Sequence, residues 1–100
     1  MKDNFTNITR MENTMIRQEN TIRDLEEILK KLDGLQADYE ALTAYYYSEQ
    51  RARDLEEKNL IPDEPRRGVL SEDELYNLFL DTHDTALHML ETAVKLLTTN

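Results

Sequence analysis

Apolar residues in the first third of the chain recur every three or four positions, which is the spacing of an amphipathic helix. With Met15 placed at position a of a heptad, nearly every a and d position is apolar, and Gln18 is the one polar interruption. We call this set the apolar seam: Ile8, Met11, Met15, Ile22, Leu25, Leu29 and Leu32. The pattern predicts a coiled-coil-like segment that changes to an ordinary amphipathic stripe near Gly34.

The same periodicity predicts a first helix over about residues 4–47, with Gly34 as a candidate bend. A continuous helix of that length would span about 66 Å at 1.5 Å per residue, which is long for a chain of 100 residues. Part of it must stand free, pair with another chain or fold back. Ser48 is a candidate cap for a short second helix over about residues 49–58, although the first helix could also continue through it.

Two prolines and a glycine (Pro62, Pro65 and Gly68) predict a connecting loop over residues 59–70. The last helix, over about residues 72–97, has the clearest start signal, because Ser71 and Glu74 have the spacing of a capping box. The loop is long enough to reverse the chain. We therefore expect one all-α domain over residues 1–100, an antiparallel helical bundle or hairpin of two long helices and one short helix.

The composition agrees with helices and excludes several classes of protein. There are only two glycines and two prolines, too few for a β-sandwich or barrel. The net charge of −9, with no basic segment, disfavours binding to nucleic acid or to an anionic membrane. The chain has no cysteine, no secretory leader and no apolar run of membrane-spanning length, so we expect a cytoplasmic protein.

Candidate catalytic and metal-binding groups are weak. His83 and His88 are five residues apart, about 140° around a helix, so they do not face one site. Adjacent carboxylates such as Glu26 and Glu27 are typical of a hydrated helix face. We expect no catalytic residue, no metal, no cofactor and no enzymatic activity.

One group of polar and aromatic residues near the loop could bind a ligand. We call it the loop patch: Tyr46, Tyr47, Asp54, Arg66 and Arg67. The two arginines precede a helix N-terminus, where an anion can bind, but pairing with the acids at residues 72–74 is the stronger interpretation. The run Tyr45–Tyr47 covers most of a helix circumference, so these side chains are either interface residues or a mixture of core and surface residues.

Two stretches, Tyr46-Tyr47-Ser48 and RGVLSEDELYNL at 67–78, resemble a family of small bacterial proteins, DUF4298. The resemblance covers about residues 8–95. It implies a helical fold in bacteria with no established activity. The family pattern implies an aromatic residue where Arg51 stands, and Asp54 matches its acid. From the residues themselves, Gly68 permits the turn, Ser71 with Glu74 starts the last helix, and the tyrosines with Asp54 dock near the loop.

The sequence leaves two classes of function open. The first is a non-enzymatic module that binds protein, most economically as a homodimer through the apolar seam, or else another helical protein. The second is a binder of small anionic metabolites, or a minor enzyme, that uses the loop at Arg66–Gly68 and the tyrosines at Tyr45–Tyr47. We favour the first, because the apolar seam carries more apolar surface than a chain of 100 residues can bury by itself.

Overall fold

The computed structural model describes residues 2–57 and 68–99, and within these ranges the chain is helical with no strand. Its elements are α1 (Lys2–Gly34), α2 (Gln36–Tyr46), α3 (Glu49–Glu57), a 3₁₀ helix (Gly68–Leu70) and α4 (Glu72–Thr99). The prediction of an all-α fold is confirmed, whereas the antiparallel packing of the helices into a bundle stays a prediction. The predicted loop at 59–70 lies outside the described residues except for its last three, which form the 3₁₀ helix.

The single helix expected over residues 4–47 is divided in the structure at Leu35, between α1 and α2. The N–H of Leu35 is shared between the carbonyls of Lys31 and Leu32, at 3.1 Å each, as is common where a helix ends. Gly34 is the last residue of α1, and a Cβ there would meet nothing within 4 Å. A larger side chain would therefore fit at this position. The low helix propensity of glycine accounts for the interruption between α1 and α2.

The second junction is made by Ser48, which caps α3. Its Oγ accepts a hydrogen bond from the N–H of Arg51 at 3.1 Å and donates one to the carbonyl of Tyr45 at 2.7 Å. The hydroxyl thus satisfies one of the free donors at the start of α3 and one of the last carbonyls of α2. The structure shows a break here rather than a helix that runs on.

Ser71 caps the start of α4. The Oγ of Ser71 accepts a hydrogen bond from the N–H of Glu74 at 3.2 Å, and the N–H of Ser71 bonds to the carbonyl of Gly68 at 3.0 Å. These bonds join the 3₁₀ helix to α4. One turn further on, Leu75 is buried, with 4% of its surface exposed.

The apolar core is small in the described residues, where Leu75 is the one buried hydrophobic side chain. Large apolar side chains stay exposed on α1 and along α4, the latter being Leu78, Leu80, Leu87, Met89, Leu90, Val94, Leu96 and Leu97. None of the helices in these ranges is long and apolar enough to cross a membrane. By its contacts the chain forms two units, Met1–Ala41 and Leu42–Asn100.

Candidate functional site

The apolar seam is the main feature of the first unit. All its members lie on α1, and all are exposed except Leu29, which is half-buried. Ile8 is 63% exposed at one end and Leu32 is 48% exposed at the other. At 1.5 Å per residue the seam extends for about 36 Å along a single uninterrupted helix. It ends where α1 ends, so the heptad pattern and the helix stop together.

The two edges of the apolar seam differ in charge. The e positions along one edge are all acidic: Glu12, Glu19, Glu26 and Asp33. The g positions along the other edge are uncharged: Asn7, Thr14, Thr21, Ile28 and Leu35. Sequence reasoning from the a and d positions alone missed these edges, although the heptad frame was sufficient to assign them.

Side-chain hydrogen bonds order the uncharged edge. The hydroxyls of Thr14 and Thr21 donate to the carbonyls of Arg10 and Arg17, at 2.9 and 2.8 Å. The guanidinium of Arg10 donates to Oδ1 of Asn7 at 3.4 Å, and that of Arg17 donates to Oγ1 of Thr14 at 3.3 Å. Two positive charges therefore lie against the g edge, on the far side of the apolar seam from the acids.

The second unit contains a tyrosine–arginine cluster: Tyr45, Tyr46, Arg51 and Asp54. Arg51, on α3, is only 6% exposed. Its Nε donates to the carbonyl of Val69 at 3.1 Å, and its Cζ lies 4.8 Å from the centroid of the Tyr46 ring. That ring meets Phe79 of α4 edge to face at 5.3 Å. One buried cation thus connects α2, α3 and the 3₁₀ helix, and the Tyr46 ring extends the connection to α4.

The other half of the cluster is a hydrogen-bonded carboxylate. The hydroxyl of Tyr45 donates to Oδ2 of Asp54 at 2.6 Å, and Nε2 of Gln50 donates to Oδ1 at 2.8 Å. The bond from Tyr45, with that from Gln50, lowers the pKa of Asp54. Burial raises the pKa of Tyr45, and the hydrogen bond to Asp54 adds to this. Asp54 is therefore a firmly ionised acceptor, and Tyr45 a firmly protonated donor.

The structure brings together only part of the predicted loop patch. Tyr46 and Asp54 both belong to the cluster, whereas Tyr47 is 79% exposed and touches Tyr46 edge to face at 4.8 Å. Arg66 and Arg67 lie outside the described residues. The two histidines of α4 are exposed, and no group of side chains that could hold a metal occurs in the described part of the chain.

Arg51 is the cluster residue whose role the sequence did not reveal. Its Nη2 is buried and has no hydrogen-bond partner among the described residues. An available signal was the composition of α3, which offers only Ala52 and Leu55 as apolar side chains. A helix with so little apolar surface can pack only by burying the aliphatic stem of a long polar residue.

Replacing Arg51 by lysine should destabilise the second unit. The ammonium keeps the charge but loses the planar group whose Nε reaches the Val69 carbonyl and whose Cζ lies over the Tyr46 ring. We expect Arg51→Lys to lower the free energy of unfolding by about 1–3 kcal/mol, measured by urea denaturation. Arg53→Lys is the matched control on the exposed side of α3 and should change it by less than about 0.5 kcal/mol. Equal effects of the two variants would contradict the structural role of Arg51.

The Tyr45–Asp54 bond should make stability depend on pH in the acid range. Because the folded-state pKa of Asp54 is lowered, its contribution is present above the unfolded-state pKa and is lost as the pH falls through the folded-state value. In Tyr45→Phe, the Asp54 pKa measured by NMR should rise towards its ordinary value. The stability difference between wild type and variant should shrink at low pH, and a constant difference would contradict this assignment.

Comparison with known protein families identifies a match over most of the chain. The model of a protein family described as "Domain of unknown function" (DUF4298) matches residues 8–92, which include both the apolar seam and the tyrosine–arginine cluster. No curated protein and no solved structure matches the chain.

Proposed function

The chain belongs to the DUF4298 family, as its sequence motifs predicted, and we propose that it is a non-enzymatic interaction module that associates with itself through the apolar seam of α1. The observation that carries this proposal is the exposure of an apolar stripe along one continuous helix. Most helical stability in proteins comes from packing of an apolar face. An α1 helix with this face in water lacks that contribution.

The energetics of burial support association. Full burial of a leucine, isoleucine or methionine side chain contributes about 1.5–3 kcal/mol. The apolar seam offers seven such residues on each copy, and they are already partly covered by their own helix. Even at half that value, the two seams of a pair together contribute about 10–21 kcal/mol. This exceeds most of the range of about 4–15 kcal/mol that association costs in translational and rotational freedom.

A second copy of the chain is the simplest partner for this surface. The heptad spacing provides the knobs and holes that a like helix needs. Charge also permits it, because residues 1–35 carry six basic and seven acidic side chains, whereas most of the net charge of −9 lies further along the chain. Two acidic proteins therefore meet where their repulsion is smallest.

The proposal keeps the antiparallel arrangement for the second unit. The contacts of Tyr46 with Phe79 and with Arg51 support it, since the first holds the start of α4 against the end of α2 and the second holds α3 against that same end. In this account the second unit has a structural role, and α1 provides the surface for association. We place the protein in the bacterial cytoplasm, which the family resemblance and the lack of cysteine favour.

A binder of small anions is the second candidate, and the buried Nη2 of Arg51 is the observation that favours it. Against it, the neighbouring Asp54 stays ionised and would repel an anion. We expect 10 mM inorganic phosphate or citrate to leave the melting temperature unchanged at constant ionic strength. A rise that Arg51→Lys abolishes would favour the second candidate.

The experiment that tests self-association is a set of thermal melts followed by circular dichroism at protein concentrations spanning a hundredfold. Anything that binds only the folded state raises its stability by mass action, so a self-associating chain melts at a higher temperature when it is concentrated. We expect that rise. A melting temperature independent of concentration would contradict the proposal.

A further inference from the structure

We infer that two copies of α1 pair in parallel and in register along the apolar seam. This inference rests on the proposed function and adds the orientation of the partner. It is carried by three features of the described residues: the charge of the two edges, the position of the arginines and the polar residue within the seam.

The edges discriminate between the two orientations. In a parallel pair each e residue lies beside a g residue of the other copy, whereas in an antiparallel pair e lies beside e and g beside g. The e edge of α1 consists of four acids, and its g edge is uncharged. Antiparallel pairing would place acid against acid along one edge of the interface. Parallel pairing places every acid beside an uncharged side chain.

The arginines add attraction to the parallel orientation. Arg10 and Arg17 lie against Asn7 and Thr14 of the g edge. In a parallel pair position g of one heptad lies beside position e of the following heptad in the other copy. Arg10 therefore comes close to Glu12 of the second copy, and Arg17 to Glu19 of the second copy.

Of the two remaining heptads, one places opposite charges close together in a parallel pair and the other places like charges together. Lys31 occupies the position equivalent to Arg10 and Arg17, and Asp33 is the acid that it would approach on the second copy. Asp24 occupies that position in the third heptad and opposes the pattern, since it comes close to Glu26. Three attractive heptads against one repulsive heptad leave a net preference for parallel pairing. Antiparallel pairing would bring Arg17 of one copy towards Asp24 of the other along the g edge, but it would also set the four acids of each e edge against one another.

Gln18 fixes the register. It is the one polar residue at an a or d position between Ile8 and Leu32. In a parallel, in-register pair the two Gln18 amides face each other and can exchange hydrogen bonds. In an antiparallel pair, residues at d face residues at a, so each Gln18 would face an apolar side chain such as Ile22. Its amide would then be buried without a partner, which costs about 1–3 kcal/mol per group.

Single cysteines test the orientation directly, because the chain has none of its own. Ile8→Cys and Leu32→Cys mark the two ends of the apolar seam, and Asn20→Cys, at position f on the outer side of α1, is the control. A disulfide needs the two Cα atoms about 4.4–6.8 Å apart. Parallel pairing meets this for Ile8→Cys with itself, and antiparallel pairing separates the two sites by about 36 Å at 1.5 Å per residue.

Each variant is treated separately with oxidised glutathione. An equimolar mixture of Ile8→Cys and Leu32→Cys is treated in the same way. The glutathione disulfide takes up the two electrons and two protons that the cysteine pair gives up. We expect each end variant to form a linked dimer with itself, the mixture to form no mixed dimer, and Asn20→Cys to link at least tenfold more slowly. Mixed dimers alone, in a protein that sediments as a dimer, would overturn the parallel orientation and leave self-association intact. No linkage, in a protein that sediments as a monomer, would overturn both.

Discussion

Ile22→Asp should convert the protein to a monomer. Ile22 lies at the centre of the apolar seam, at an a position, and each dimer would bury two of the new carboxylates. Burying an unpaired charge costs several kcal/mol, and every 1.4 kcal/mol changes an equilibrium constant tenfold, so we expect the dissociation constant to rise at least about 100-fold. Analytical size exclusion with light scattering at a fixed concentration measures this change.

Ile16→Asp is the matched control for that variant. Ile16 lies on the same helix at a b position and is exposed to a similar degree, 44% against 39% for Ile22. Both variants add the same charge and have the same change in helix propensity. We expect Ile16→Asp to remain associated. If the two variants dissociate equally, charge or loss of helix explains the result, and the apolar seam does not.

The second largest effect is expected from Leu75→Ala. Leu75 is the one buried hydrophobic side chain in the described residues, and it lies where the first turn of α4 meets the 3₁₀ helix. Truncating a buried leucine costs about 2–5 kcal/mol, a large part of the roughly 5–15 kcal/mol that stabilises a domain. Urea denaturation followed by circular dichroism should show the loss.

The control for Leu75 is Leu80→Ala, on the same helix but 45% exposed. Its effect on the free energy of unfolding should be less than half as large. Because Leu75 lies in the second unit, Leu75→Ala should leave the mass of the folded protein in solution unchanged. A Leu75 variant that unfolds no more readily than the Leu80 variant would mean that the core lies elsewhere.

Local signals along the chain were the most informative. Ser71 with Glu74 predicted the start of α4, and Ser48 marked the start of α3, because a cap is a bond between near neighbours and depends on little else. The family was also recognisable, since its motif lies in that same capped region. The end of α1 was harder to predict, because a single glycine within a helical pattern is often tolerated.

The tyrosine–arginine cluster was only partly predictable. Tyr45, Tyr46 and Asp54 were expected near the loop, and the structure joins the hydroxyl of Tyr45 to Asp54. The central position of Arg51 could not be deduced, because its partner Val69 is 18 residues away and charged residues are rarely buried. A contact between distant segments depends on the packing of helices, which hydrophobic periodicity alone does not specify.

Sedimentation equilibrium of the wild-type chain tests the central claim most directly. The apolar seam is expected to be covered by a second copy, so the mass in solution at tens of micromolar should be twice the chain mass of 11.8 kDa. A mass equal to that of one chain across the accessible concentration range would contradict the account.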